Sequence, residues 1–279
     1  MTATTALPAD YSEAYAREED IKWVVRDALT MTRRNLIAYV RIPEAAFFSS
    51  VQPIMFVLLF RYVFAGAINV PHIGYVDYMM PGIFVQTVAF GSVSTSIGLA
   101  EDLQKGLIER FRALPMSRSA VLAGRTTADL CRNVFVVALI TGVGYLVGFR
   151  VHTGLMSFLG GVGILLLFAY ALSWGFAVIG LSAPNSETAQ VMSFPLLFPL
   201  TFASSSFVPV KTMPGWLQGF ANHQPVSLVA NSARALMEGK VALLGSGTVG
   251  ATVVQALIWV VGLLIILSPL AVSRYRRVS

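Results

Sequence analysis

The sequence is poor in charged residues and in cysteine. Only 12% of its 279 residues are charged, whereas soluble domains carry roughly 25%. Apolar residues make up 56% of the chain and the mean hydropathy is +0.70, which excludes a water-soluble globule because such a globule could not bury this much apolar surface. The single cysteine, Cys131, excludes an intrachain disulfide and a cysteine-based metal site. We expect it to be a buried small apolar residue.

The sequence also lacks the loops that bind nucleotides. A Walker A motif needs Gly-Lys followed by Ser or Thr, but residues 239–241 are Gly-Lys-Val, and Arg234 stands where the first glycine of the motif belongs. A formal G-x-G-x-x-G match at 245–250 follows no predicted strand, so we interpret it as a flexible turn. Any ATP that drives this protein is therefore hydrolysed by another chain.

Apolar runs long enough to cross a bilayer recur along the chain. A hydrocarbon core of ~30 Å requires about 20 helical residues, so each run predicts a transmembrane helix. The predicted spans are 45–66, 78–100, 129–149, 155–182, 187–208 and 249–271. Before them, apolar residues at helical spacing over 17–41 predict an amphipathic interfacial helix on the inner surface, or else a solvated helix packed on a partner. The fold class predicted is an all-α integral membrane protein with six transmembrane helices.

The distribution of basic residues predicts the orientation. Arg and Lys concentrate in the N-terminal segment, in the loop after the second span and in the C-terminal tail, which share one side if the six spans are correct. The positive-inside rule then predicts a multi-pass protein of the cell membrane with cytoplasmic N- and C-termini. The net charge of +6 forms no basic stripe interleaved with aromatic residues, so no nucleic-acid partner is expected.

The loop after the second span is amphipathic. Over 101–125, four apolar residues share one helical stripe and Pro115 predicts a stop; the stripe is Leu103, Leu107, Phe111 and Leu114. Such a helix suits docking to a soluble partner on the cytoplasmic side, and it equally suits lying on lipid headgroups.

Two segments resemble a known family. The run 105–118 (KGLIERFRALPMSR) resembles the cytoplasmic coupling segment of ABC-2 type permeases, the group that includes the daunorubicin-resistance exporters. The run 207–226 (FVPVKTMPGWLQGFANHQPV) is similar to the extracytoplasmic segment before that family's last helix, with Gln224-Pro225 where members often have Asn-Pro. Within the expected extracytoplasmic segment 209–248, the part 209–240 is amphipathic and predicts short helices re-entering the outer leaflet, as the resemblance also implies.

The resemblance also implies a function. It indicates the permease subunit of an ATP-binding cassette exporter, which moves an amphipathic drug, antibiotic or lipid-like molecule out of the cytoplasm or inner leaflet. ATP and Mg would be bound by a separate ATPase, and the permease would pair with a second copy or a related permease; the chain itself would be no enzyme and bind no cofactor. The residues expected to contact the ATPase are Lys105, Glu109, Arg110, Phe111, Arg112, Leu114 and Pro115.

Several residues within the spans are candidates for a substrate path. The second span is unusually small and polar around three serines, which predicts either close helix packing or a path lining. The candidate path residues are Ser92, Ser94, Ser96, Phe194, Phe198 and Arg61. For Arg61, snorkelling to the outer headgroups is the alternative, and Arg132 is expected to form an i, i+3 ion pair with Asp129.

An alternative class of transporter and a metal site are both less compatible with the sequence. An ion-coupled secondary multidrug transporter, the alternative function, usually needs a carboxylate deep in a span, and only Asp129 and Glu187 come close, both at predicted inner helix ends. The three histidines have no acidic residue at metal-ligand spacing, so no metal site is predicted; they are His72, His152 and His223.

Overall fold

The computed structural model describes residues 21–41, 43–68, 70–112, 118–243 and 247–277, and its regular structure over these ranges is helical throughout. The α-helices are α1 (Ile21–Arg41), α2 (Pro43–Leu59), α3 (Tyr75–Gln104), α4 (Leu107–Arg112), α5 (Arg118–Leu146), α6 (Leu155–Gly180), α7 (Ser186–Phe202), α8 (Gly215–His223), α9 (Pro225–Glu238) and α10 (Val249–Arg277). A π-helical turn continues α2 over Phe60–Phe64, and short 3-10 turns occupy Val210–Thr212 and Lys240–Leu243.

Six of these helices fall on the six predicted apolar runs. Within the described residues, α3, α5, α6 and α10 are long and apolar enough to cross a membrane. Helices α2 and α7 each have 17 residues, and the π-helical turn lengthens α2. The all-helical, membrane-type architecture predicted from composition is therefore observed.

Helix α5 begins at Arg118, well before the start predicted at residue 129. Its first turns are rich in Ala, Val and Leu, and one face is buried, with Ala120 and Leu122 fully enclosed. This face packs on α1 so closely that a Cβ atom on Gly124 would lie 2.4 Å from the Cβ of Met31. Consequently Asp129 lies well inside a helix, and the prediction that it sits at a helix end is wrong.

The amphipathic helix that was predicted to stop at Pro115 is not continuous, because its described part, 101–112, belongs to two helices. Helix α3 ends after Gln104, and Gly106 adopts a φ of +64°, the left-handed conformation that commonly terminates a helix. The short α4 follows. Of the expected coupling residues, Leu114, Pro115 and the side chains of Arg110, Phe111 and Arg112 lie outside the described residues.

The centre of the molecule is the contact between α3 and α6. Two of the serines in α3 serve this packing: the Ser92 hydroxyl donates to the Ala169 carbonyl at 3.1 Å, and Ser96 lies 3.0 Å from Ser193 of α7. A Cβ atom on Gly180 would lie 2.4 Å from the Ser96 carbonyl oxygen. Small residues here let the backbones approach closely.

Helices α8 and α9 occupy the segment 209–248, where short helices were expected. Helix α9 is mostly buried against α3, α6 and α10. Its Arg234 is 1% exposed, and the guanidinium donates to the carbonyl oxygens of Tyr78 and Ser205, each at 2.9 Å, and to Asn231 Oδ1 at 2.7 Å. The guanidinium also lies 3.8 Å from the centre of the Tyr78 ring.

Helix α1 is amphipathic, as predicted. One face packs on α5, where the Thr32 hydroxyl lies 3.2 Å from the Gly124 carbonyl, while Leu29 and Val40 are exposed on the other. Cys131 is also exposed, which contradicts the expectation that it is buried. It lies on a face of α5 that turns away from the rest of the bundle, beside the exposed Phe135.

Candidate functional site

A cavity of about 490 Å³ lies between α2, α3, α5 and α7. Its volume is in the range of about 300–1,000 Å³ that is typical of small-molecule sites. Most of its wall is apolar, with a limited number of polar side chains among the aromatic ones. Such a surface suits a molecule that is itself amphipathic.

The aromatic part of the wall comes from α2, α3 and α7. Phe194 and Phe198 lie one helical turn apart on α7, with ring centres separated by 5.6 Å, and the Phe90 ring meets Phe198 edge-on at 5.7 Å. Phe56 of α2 completes this group, which we call the aromatic wall. Edge-on and offset ring pairs are the arrangements that aromatic side chains prefer.

A row of stacked rings continues from this wall toward the end of the bundle that carries α8 and α9. Phe202 stacks on Phe198 at 5.5 Å, Phe207 follows at 5.7 Å, and Phe60 of the π-helical turn stacks on Phe207 at 4.5 Å with an interplanar angle of 4°. The i, i+4 spacing of Phe194, Phe198 and Phe202 places all three on one face of α7. We call these rings the aromatic row.

Two residues that line the cavity have buried amide nitrogens without a hydrogen-bond partner in the described part of the chain. Gln86 of α3 and Asn133 of α5 both line it, and their side-chain nitrogens, Nε2 and Nδ2, are buried and make no hydrogen bond within the described residues. A buried donor without a partner costs about 1–3 kcal/mol. A ligand with acceptor oxygens would satisfy both groups if the two side chains rotate toward the cavity.

The polar end of the cavity is held by an ion-pair network. Arg132 lines the cavity and donates to the Gly91 carbonyl and to the Tyr39 hydroxyl of α1. Its guanidinium lies 4.0 Å from Asp129, so the predicted i, i+3 pair is present. The Asp129 carboxylate is 1% exposed and also accepts from Thr95 at 2.5 Å. Charge and hydrogen bonds therefore compensate this buried carboxylate.

The network reaches α1 by a second route. Arg125 lies between two carboxylates, 3.9 Å from Asp129 and 3.8 Å from Asp102, and Arg34 of α1 lies 3.4 Å from Asp102. Helix α1 is thus connected to the cavity wall both through Tyr39 and through these ion pairs. A movement of α1 would be transmitted to Arg132.

The structure divides the candidate path residues into two groups. Ser94, Phe194 and Phe198 line the cavity, whereas Ser92 and Ser96 are enclosed in the helix packing described above. Arg61 lies outside the cavity wall, and its Nε donates to the Val147 carbonyl at 3.0 Å. Four amide side chains of the cavity wall were not predicted from the sequence, although amides within apolar spans were a usable signal; they are Gln52, Gln86, Asn133 and Gln190.

The described coupling residues lie at the opposite end of the bundle from α8 and α9. Glu109 is exposed on α4, and Lys105 is exposed next to it and pairs with Glu101 on the last turn of α3. These side chains are accessible to a soluble partner.

Comparisons with known proteins indicate the class of transporter. A model of the ABC-2 type transporter family matches residues 26–237. The chain is 34% identical over 252 residues to a daunorubicin resistance ABC transporter permease protein of Streptomyces coeruleorubidus, which covers 90% of this chain and 87% of the relative. It is 27% identical to a protein of Mycobacterium tuberculosis named as a probable doxorubicin resistance ABC transporter permease, over 99% of this chain and 95% of the relative.

Proposed function

The chain belongs to the ABC-2 type transporter family, and on that premise we propose that it is the permease subunit of an exporter for amphipathic aromatic compounds. It is a multi-pass membrane protein. The finer arrangement that we propose has six spans in the cell membrane, formed by α2, α3, α5, α6, α7 and α10, with both termini in the cytoplasm.

The cavity carries this proposal. Its aromatic wall fits fused or linked aromatic rings, and the free amide donors of Gln86 and Asn133 fit carbonyl or hydroxyl oxygens on the same molecule. The aromatic row leads from the wall toward α8 and α9, where we propose the exit. Daunorubicin and doxorubicin, named for the relatives, are suitable first probes.

The energy would come from a separate ATPase that binds ATP and Mg. We propose that this partner contacts α4 and the run 105–118, and that it also displaces α1. Because Arg132 joins α1 to the cavity wall, that displacement would change the cavity and alternate its access. The permease would act as a pair, with a second copy or a related permease.

Transport by reconstituted vesicles tests the proposal. Wild-type protein with its ATPase should accumulate daunorubicin only when ATP is supplied, and Phe194→Ala should raise the KM because it removes part of the aromatic wall. Phe135→Ala is the matched control, since Phe135 is exposed on α5 and does not line the cavity. Equal effects of the two substitutions would refute the assignment of the cavity.

Co-purification tests the proposed ATPase contact. Phe111→Asp combined with Leu114→Asp should abolish recovery of the ATPase while the permease still inserts. Val241→Asp, an exposed apolar position at the α8 and α9 end, should leave recovery unchanged. Transport that persists without ATP and follows a pH or sodium gradient would instead support the ion-coupled carrier, in which the buried Asp129 would be the first residue to examine.

A further inference from the structure

A second group of polar side chains lies apart from the cavity, at the α8 and α9 end of the bundle. Asp77 comes from the first turn of α3, His152 from the connection between α5 and α6, and Glu238 from the last turn of α9. Each offers one ligand atom, and these three atoms all lie within 4.8 Å of one another. No histidine was expected to have an acidic neighbour, because residues far apart in the sequence form this group.

Glu238 has a free carboxylate oxygen in this group. Its side chain is 1% exposed; Oε2 lies 2.6 Å from His152 Nδ1, whereas Oε1 is buried and has no hydrogen-bond partner in the described part of the chain. A buried carboxylate oxygen without a partner is unfavourable unless a proton or a cation compensates it.

Neither nearby arginine forms a close ion pair with the two carboxylates in the described part of the chain, although the charge of Arg234 acts on Glu238 at longer range. Arg234 donates instead to Tyr78, Ser205 and Asn231. Arg150 presents only its backbone N–H to Asp77, at 3.0 Å, while its guanidinium donates to the carbonyl oxygens of Tyr145 and Phe149. Two carboxylates therefore share a site in which a divalent cation would balance the charge.

We propose that Asp77, His152 and Glu238 bind a first-row divalent transition-metal ion of the Zn²⁺ class. One imidazole nitrogen with two carboxylate oxygens is a donor set that Zn²⁺ accepts, whereas Ca²⁺ and Mg²⁺ prefer oxygen ligands alone. Ligand atoms of a tetrahedral zinc site are roughly 3.4 Å apart. The exposed His152 side chain can rotate to close the remaining gap, and solvent can supply the fourth ligand.

The bound ion would join three parts of the chain. It would fasten the end of α9 to the start of α3 and to the connection between α5 and α6, beside the existing hydrogen bond from the His152 N–H to the Met237 carbonyl at 3.0 Å. The ion would thus stabilise the segment that precedes the last span. This inference does not depend on which compound the cavity binds.

Zinc titration of the purified full-length protein tests the site. With a fluorescent zinc indicator as competitor, the wild type should bind one ion, and Asp77→Asn, His152→Gln and Glu238→Gln should each weaken binding at least tenfold. His223→Gln is the matched control, because His223 is exposed on α8 and its Nδ1 contacts the Gly219 carbonyl oxygen of the same helix. Zinc should also raise the thermal unfolding temperature of the wild type and of the control, but not that of the three site variants.

Several outcomes would contradict the proposed metal site. They are the absence of zinc binding by the wild type, unchanged binding by Glu238→Gln, equal loss of binding by His223→Gln, and equally tight binding of Ca²⁺. Binding should weaken at pH 5.5, because protons compete for the imidazole and carboxylate ligands. If Glu238→Gln fails to fold, as judged by size-exclusion chromatography, the exposed His152→Gln variant carries the same test.

Discussion

Removing the two free amide donors of the cavity should change stability and ligand affinity in opposite directions. Gln86→Met and Asn133→Leu approximately preserve side-chain volume and delete the buried donors Nε2 and Nδ2. Because a buried donor without a partner costs about 1–3 kcal/mol, each ligand-free variant should be as stable as the wild type or more stable by up to that amount. Thermal unfolding in detergent measures this effect.

The same substitutions should weaken binding of a ligand that carries acceptor oxygens. A hydrogen bond contributes about 0.5–1.5 kcal/mol net, and 1.4 kcal/mol corresponds to a factor of ten in affinity, so each variant should raise the Kd about 2- to 12-fold. Quenching of daunorubicin fluorescence during titration with protein measures the Kd. An apolar aromatic compound without oxygen atoms should bind the wild type and the variants equally well.

Gln224→Met is the matched control for these variants. Gln224 is buried outside the cavity wall, and its amide nitrogen donates to the carbonyl oxygens of Leu200 and Ala203 at 2.8 and 3.0 Å. Its substitution leaves two acceptors without this donor and removes only one unsatisfied group, the buried Oε1 of Gln224, so the net effect should be a lower unfolding temperature with an unchanged Kd. The reasoning is refuted if Asn133→Leu destabilises the protein as Gln224→Met does, or if neither cavity variant changes the Kd.

Further substitutions test the helix packing, and a labelling experiment tests the exposure of Cys131. Gly180→Ala should destabilise by about 1–3 kcal/mol, because the new Cβ would meet the backbone of Ser96; Gly163→Ala, in the same helix with open space around it, should be neutral or slightly stabilising in thermal unfolding. Arg234→Met should lower the unfolding temperature more than Gly180→Ala, since it orphans two buried carbonyl oxygens. A charged maleimide should leave Cys131 unmodified in intact vesicles and modify it in detergent-unfolded protein, because the charged reagent does not enter the lipid that the exposed Cys131 side chain would face in the proposed arrangement; mass spectrometry measures the label.

The helices were predictable because a bilayer selects long apolar runs with little regard to tertiary detail. The predicted run 155–182 corresponds to α6, which ends at Gly180, and the run 249–271 lies within α10. The start of α5 was missed because Arg125 and its polar neighbours resemble a loop in a hydropathy profile. Contact with α1 and the ion pairs of Arg125 keep these residues helical. The helix break at Gly106 could have been predicted from the sequence, since Lys-Gly is a common helix ending.

Residues of the candidate site could be predicted from the sequence only where a single helix carries them. Phe194 and Phe198 share one face of α7 by their spacing alone, and both line the cavity. The pairing of Gln86 with Asn133 depends instead on how α3 and α5 pack. The proximity of His152 to Glu238 likewise depends on the tertiary arrangement of the chain between α5 and α9. Sequence spacing carries no information about such contacts without an alignment of relatives.

Buried polar groups in the central helices differ in whether the protein itself satisfies them. The hydroxyls of Ser92 and Ser96 donate hydrogen bonds to backbone or side-chain oxygens, and donors surround the Asp129 carboxylate. Gln86 and Asn133 are close to these residues, yet their side-chain nitrogens make no hydrogen bond in the described chain. An unsatisfied group costs more in a bilayer than in a water-filled site, and two such groups on residues of one cavity wall are the observation behind the proposed ligand with acceptor oxygens. The cavity should therefore distinguish oxygen-bearing aromatic compounds from hydrocarbons of the same size.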